Sequence, residues 1–212
     1  MGEIVIIYGK SGVGKSRSLK TFKEDEIFLI QAIKKRLPFK NSFKYSCVSS
    51  NVNTILEQLQ KMPLKVAVID DAGYILTSEF MNNHRNLKGN AAFELYNDIA
   101  DHFWILLNGI KNLPDEVIVY LMMHEETNDY GETKLRTIGK LLNDKCNIEG
   151  MITICLRAVI EDNQHIFVTQ NMGNDISKSP EGMFEDKIPN DLKAVDNAIR
   201  EYYGLGKKKE SK

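Results

Sequence analysis

Eight consecutive residues near the start of the chain, Gly9-Lys-Ser-Gly-Val-Gly-Lys-Ser16, constrain the fold more than any other stretch. They satisfy G-x-x-x-x-G-K-S in full and follow a continuous apolar, β-branched run from Ile4 to Tyr8. Such a run reads as a strand buried on both faces, not one alternating between core and solvent. Gly9, Gly12 and Gly14 let the backbone turn sharply and bring several N–H groups to one point, with Lys10, Ser11, Val13 and Arg17 completing the cradle. Lys15 can then reach the β- and γ-phosphates of a bound nucleotide, and the Ser16 hydroxyl can ligate Mg²⁺. Ser16 through Phe22 reads as a helix, so the loop ends on a helix N-terminus, which also favours an anion. A glycine-rich turn without a ligand is the alternative.

A chain of 212 residues is long enough for one substantial core and cramped for two. With 42% hydrophobic and 27% charged residues its composition is that of an ordinary globular protein. No apolar stretch approaches the roughly 20 residues that a bilayer helix needs, so no membrane span is expected. The first strand begins at once, leaving no room for a signal peptide. Cys47, Cys146 and Cys155 are scattered and form no C-x-x-C pair, which argues against a disulfide framework or a zinc site and for a reducing cytoplasm. A net charge of −1 gives no global attraction to nucleic acid. Any contact with DNA must come from a local patch.

Beyond the first helix, Glu26–Ala32 reads as a second strand, and Lys34–Lys40 as a basic loop broken by a proline. Lys44–Val48 reads as a third strand. Val52 to Met62 has Ile55, Leu56 and Leu59 on one helical face. Lys65–Gly73 is a buried strand ending on two aspartates. A helix is expected from Ala91 to Asn112, and Glu116–His124 is a further apolar strand. Met151–Asn171 forms a hairpin around Glu161–Asn163. Asp191 to Tyr203 is a closing helix that Asp191 caps, and Gly206–Lys212 a solvated, disordered tail. Strands alternating with helices imply a mainly parallel sheet with right-handed crossovers, and ligands at the carboxyl ends of its strands.

Three groups of polar residues fall at those ends. Asp70 closes the run Val66–Ile69 about 55 residues after the phosphate loop, the setting of a Walker B carboxylate that holds Mg²⁺ partly through its water shell. Adjacent carboxylates repel unless a cation or a reacting water lies between them, so Asp71 is a candidate to orient the attacking water as general base. It could equally just start the turn before Gly73. His124, at the end of the next apolar strand, would face the γ-phosphate if that strand lies between the other two. The stretch His124–Glu126 is no metalloprotease signature, because no second histidine follows at the required spacing. Lys134 and Arg136 alternate as on an extended segment and point to one side. A solvated face is the ordinary meaning of such a run. Yet a phosphoryl-transfer site without an obvious arginine needs positive charge from elsewhere, often a neighbouring subunit.

Taken together, these residues resemble the RecA-like P-loop ATPases of bacteriophages, an AAA-type group described as single-strand annealing proteins. The resemblance runs from Ile4 to about Tyr203 and rests on GKSGVGKS, VAVIDDAGYIL, MMHEE, KLRTIGKLL, VTQNMGNDISKSPEGMF and the final helix. The first motif is common to many unrelated NTPases, whereas its combination with TIGKLL and KSPEGMF is much more specific. What the resemblance implies is an α/β RecA-like core over residues 1–204, with a mainly parallel sheet, flanking helices, a C-terminal β-hairpin and a helix, followed by a basic tail over 205–212. It further implies ATP with Mg²⁺, a homo-oligomer in ring or filament form, and recombination or annealing on single-stranded DNA in the bacterial host cytoplasm, with a single-strand-binding protein as a partner. Lys134-Leu-Arg136 is similar to the basic pair that such ATPases insert across a subunit interface. One departure is that Ser46–Asn53, where RecA-type recombinases carry a catalytic glutamate, holds no carboxylate; this favours Asp71 and allows slow hydrolysis. The separate N-terminal domain and long DNA-binding loops of full recombinases are also missing, which speaks against strand exchange by the chain alone.

Two other classes share the loop. A small-molecule kinase requires an acceptor pocket and usually an arginine-rich lid, but Arg17, Arg36, Arg85, Arg136, Arg157 and Arg200 are dispersed. An ATP-dependent assembly or packaging protein would bind only other proteins. For DNA, the candidate patches are Lys34–Lys40 with Phe39 and the tail lysines Lys207–Lys209, since bases stack on a ring while phosphates meet ammonium groups.

Overall fold

The computed structural model describes residues 1–85, 87, 89–138 and 147–206. Among the described residues nine strands, β1 (Glu3–Gly9), β2 (Phe28–Gln31), β3 (Tyr45–Val48), β4 (Val66–Asp70), β5 (Ile118–Thr127), β6 (Thr133–Leu135), β7 (Ile154–Glu161), β8 (Gln164–Val168) and β9 (Lys187–Pro189), form the sheet. Their order is β3-β2-β4-β5-β1-β7-β8-β9, with β6 paired to the end of β5. From β3 to β7 all neighbours are parallel, whereas β7-β8, β8-β9 and β5-β6 are antiparallel. The expected α/β class, a mainly parallel sheet flanked by helices, is thus observed.

Because side chains alternate along a strand, the central strands supply two cores at once. Ile4, Ile6, Ile69, Val119 and Leu121 face α1 (Val52–Lys61), α2 (Gly73–Asn83) and α3 (Asn90–Lys111). Val5, Ile7, Val68, Tyr120 and Met122 share the opposite core with Leu19, Phe22 and the inner residues of α4 (Leu192–Tyr203), namely Leu192, Val195 and Ile199. The capping follows the sequence. The Asn51 side chain accepts from the Thr54 N–H at the start of α1, and Asp191 accepts from the Lys193 and Ala194 N–H groups at the start of α4. Tyr120, fully buried, donates from its hydroxyl to Asp196 Oδ1 at 2.9 Å and so pins α4 to the middle of the sheet. The 161–163 turn is also as expected, with Asp162 and Asn163 in left-handed conformations that join β7 to β8. Among the described residues no helix is long and apolar enough to cross a membrane.

Three features depart from the sequence reading. The element after the phosphate loop is a 3₁₀ helix of six residues, Ser16–Thr21, not a full α-helix. Its Ser18 N–H is shared between the Gly14 and Lys15 carbonyls, at 3.0 and 3.2 Å, and Phe22 leaves in an extended conformation to reach the core. The axial dipole behind the loop is correspondingly short. Helix α2 has no forewarning in the sequence, since Ala72 at its N-cap offers no side-chain bond and its apolar residues mark no clean stripe. Strand β9 is three residues ending in a proline, too short to signal itself. The tail lysines Lys207–Lys209, together with Gly139–Leu142 of the TIGKLL motif and Cys146, lie outside the described residues.

Candidate functional site: a phosphate cleft at the strand ends

Strand β5 runs between β1 and β4, so that Gly9 pairs with His124 and the sheet brings the phosphate loop, His124 and the two aspartates to one edge. A cleft of about 540 Å³ opens there, lined by Ser11, Gly12, Gly14, Lys15, Ser16 and Arg17 on the loop side. Lys35, Arg36, Pro38, Asp71, Tyr74, His124 and His165 line the rest.

The loop is shaped by close approach. A Cβ at Gly9 would stand 2.5 Å from the Ala158 carbonyl oxygen of β7, and one at Gly14, where φ is +107°, 2.6 Å from His165 Nδ1. Both positions therefore require glycine. The His165 ring donates from Nδ1 to the Val13 carbonyl at 2.8 Å and props the loop from β8. Nothing in the sequence marks His165, because its partner lies 152 residues away.

Lys15 is buried. Its ammonium donates to the Gly9 and Lys10 carbonyls, each at 2.8 Å, and approaches His124 Nδ1 at 3.4 Å. Burial is the main reason its pKa falls to about 8; Asp71 and Asp70 pull the other way. Ser16 Oγ donates to Asp70 Oδ1 at 2.8 Å. Asp71 adopts φ +57°, a left-handed turn that takes the chain from β4 into α2 and keeps the second carboxylate on the cleft. His124 Nε2 stands 3.4 Å from Asp71 Oδ1, with its ring edge-on to Tyr74. The two carboxyls differ sharply. Burial raises Asp70 above the usual carboxylate range despite Lys35. Burial also acts on Asp71, but hydrogen bonds from His124 and Lys35 and the Lys35 charge outweigh it and bring its pKa down to about 2.

The donor set fits a magnesium ion. Asp70 is fully buried, and its Oδ2 makes no hydrogen bond although the Lys35 ammonium stands 3.3 Å away. Beside it lies the Ser16 hydroxyl, a second hard oxygen ligand. Among the described residues no group of three or more His, Cys, Asp or Glu could cage a metal unaided. A magnesium ion on Asp70 and Ser16 would take its remaining oxygens from water and phosphate.

A family model for an AAA domain matches residues 1–181. The chain belongs to that family. Membership makes it a P-loop NTPase, a class whose domain points to nucleotide binding and ATPase activity. No curated protein matches the sequence.

The remaining sequence candidates lie around the AAA cleft. Two carboxylates follow His124 on β5, and Glu125 is held by Arg157 in a bidentate pair at 2.8 and 2.9 Å. Glu126 is exposed and sits opposite Lys134. Lys134 of β6 and Arg136 just beyond it flank the buried Leu135, and both are exposed. Neither lines the phosphate cleft of its own chain. Arg136 instead borders an adjoining hollow of about 230 Å³ with Gly73, Tyr74, Thr77, His124, Thr137 and Ile138. In the Lys34–Lys40 loop, Phe39 is half-buried against the core and edge-on to Phe43, at 6.4 Å between centroids. Lys35 belongs by sequence to the same DNA-candidate loop, yet its ammonium hydrogen-bonds Asp71 Oδ2.

Proposed function

We propose that the protein binds and hydrolyses ATP with Mg²⁺, as a homo-oligomer acting on single-stranded DNA in phage recombination or annealing in the host cytoplasm. The observation that carries the ATPase half is the convergence of Lys15, Ser16, Asp70, Asp71 and His124 at one edge of the sheet. In this reading Lys15 and the loop amides grip the phosphates, while Ser16 and Asp70 hold the metal, which neutralises phosphate charge when bound. Asp71 orients the attacking water, and His124, touching both Lys15 and Asp71, reports the terminal phosphate. Lys134 and Arg136, exposed and without an ion pair among the described residues, serve the cleft of a neighbouring copy. The DNA half is supported by the resemblance to phage annealing ATPases. Exposed Lys34, Arg36 and Lys40 supply local positive charge on a chain whose net charge is only −1.

The test is ATPase activity and particle mass with and without a single-stranded oligonucleotide, alone and with a single-strand-binding protein, plus a salt titration of oligonucleotide binding. Stimulated hydrolysis is expected, with affinity falling by close to 0.7 log units per neutralised phosphate for each decade of salt. Absence of DNA binding at low salt in both nucleotide states would overturn the annealing role and promote ATP-dependent assembly of proteins instead.

A further inference from the structure

The strand order explains how a residue from a surface loop enters the cleft. β2 lies beside β4, with Gln31 opposite Asp70, so the segment leaving β2 passes directly over the end of β4. It is held there by two bonds: the Ala32 N–H donates to the Asp70 carbonyl at 3.1 Å, and Gln31 Nε2 to the Lys35 carbonyl at 3.0 Å. The Lys35 side chain then turns inward, its ammonium hydrogen-bonded to Asp71 Oδ2 and 3.3 Å from Asp70 Oδ2. Ser16 occupies the other Asp70 oxygen.

Charge governs how this arrangement meets a metal and a phosphate. At the aspartates, two carboxylates face the ammonium groups of Lys15 and Lys35, and Arg17 and Arg36 add further positive charge to the lining. A divalent cation using Asp70 would stand beside the Lys35 ammonium, with like charges over the same carboxylates. Phosphate oxygens in the same cleft offer Lys35 a new partner, and the four-carbon stem of a lysine can move between the two. Arg36 also lines the cleft but makes no ion pair with either aspartate.

We propose that Lys35 is a second phosphate-binding lysine of the site: it covers the Asp70–Asp71 pair, yields it to Mg²⁺, and passes to the terminal phosphate of ATP. The inference deepens the ATP–Mg²⁺ reading and rests on it. It supplies within one chain positive charge that the sequence sought only from Lys134 and Arg136. It also frees Asp71 for work on water at the moment the metal arrives.

Two measurements test the exchange, using wild-type protein, Lys35→Met and Lys35→Gln, with thermal melts confirming that each variant folds. First, Mn²⁺ binding without nucleotide, read by electron paramagnetic resonance, should tighten about tenfold or more in Lys35→Met, because a charge-assisted competitor is gone. Lys35→Gln, which keeps the length without the charge, should do the same, and Asp70→Asn added to either should cancel the gain. Second, calorimetry should show Mg²⁺–ATP affinity falling roughly tenfold in both variants while Mg²⁺–ADP affinity holds within about twofold, since only ATP has the terminal phosphate. Unchanged Mn²⁺ affinity, or equal losses for ATP and ADP, would overturn the proposal. Wild-type protein that binds neither nucleotide would overturn the ATP reading itself, and the handover with it, even where the Mn²⁺ result is as expected.

Discussion

The cleft at the ends of β1, β4 and β5 and the short arm of β6 carry similar residues in opposite settings. In the cleft, Lys15, Asp70 and Asp71 are buried, and each is tied to at least one other polar group. On the arm, Lys134 and Arg136 project into solvent from either side of a buried leucine. Chemistry completed within one chain has to settle its own charges, because an unpaired buried ion costs several kcal/mol. Charge meant for another molecule can stay solvated until that molecule arrives. On the proposed reading, the difference separates what one chain does alone from what it does for a neighbouring copy.

The sharpest test of the cleft is Asp71→Asn, which should leave ATP affinity in place and lower turnover roughly 10²-fold, the usual worth of a positioned base. Turnover that survives would move the base elsewhere. Next in size, Lys15→Ala removes a charge-assisted contact of about 1.5–3 kcal/mol and should weaken ATP binding at least about tenfold by calorimetry. The arm should behave differently. Lys15→Ala and Arg136→Ala chains, each impaired alone, should regain part of their ATPase activity on mixing, since some interfaces then join an intact loop to an intact arginine. If no mixing ratio exceeds the sum of the separate variants, the distinction between the two regions fails. Smallest is Glu125→Gln. This residue lies between the regions but is committed to Arg157, so stability should fall by about 1–3 kcal/mol in a denaturant melt, with turnover little changed.

The sequence made the phosphate loop, Asp70 and the parallel core legible because each rests on a local pattern: glycine spacing, or an apolar run ending in a carboxylate. Placing His124 between Lys15 and Asp71 needed only the strand order, and the sheet has that order. The rest depends on contacts between distant parts of the chain. Lys35 reads as one lysine among several in a solvated loop, and only the adjacency of β2 and β4 turns it toward Asp71, 36 residues away. His165 could not be found from spacing for the same reason. Helix α2 lacks a side-chain cap, and the 3₁₀ turn at Ser16 stays hidden because helix propensity does not distinguish it from an α-helix.

The way α4 is seated bears on where the chain can be cut. The AAA match stops at residue 181, but β9 and α4 lie beyond it. Thr21, at the end of the 3₁₀ turn after the loop, donates to Asp191 at 2.7 Å, and Lys193 pairs with Glu26 at 2.7 Å. Leu192, Val195 and Ile199 cover Leu19 and Phe22 from above, each such side chain contributing about 1.5–3 kcal/mol of burial. A fragment trimmed to the matched residues would leave that floor wet and the 3₁₀ turn untethered. The recognisable nucleotide motif at one end of the chain is thus kept in shape by unremarked residues at the other, and truncation there would be felt first as lost nucleotide affinity.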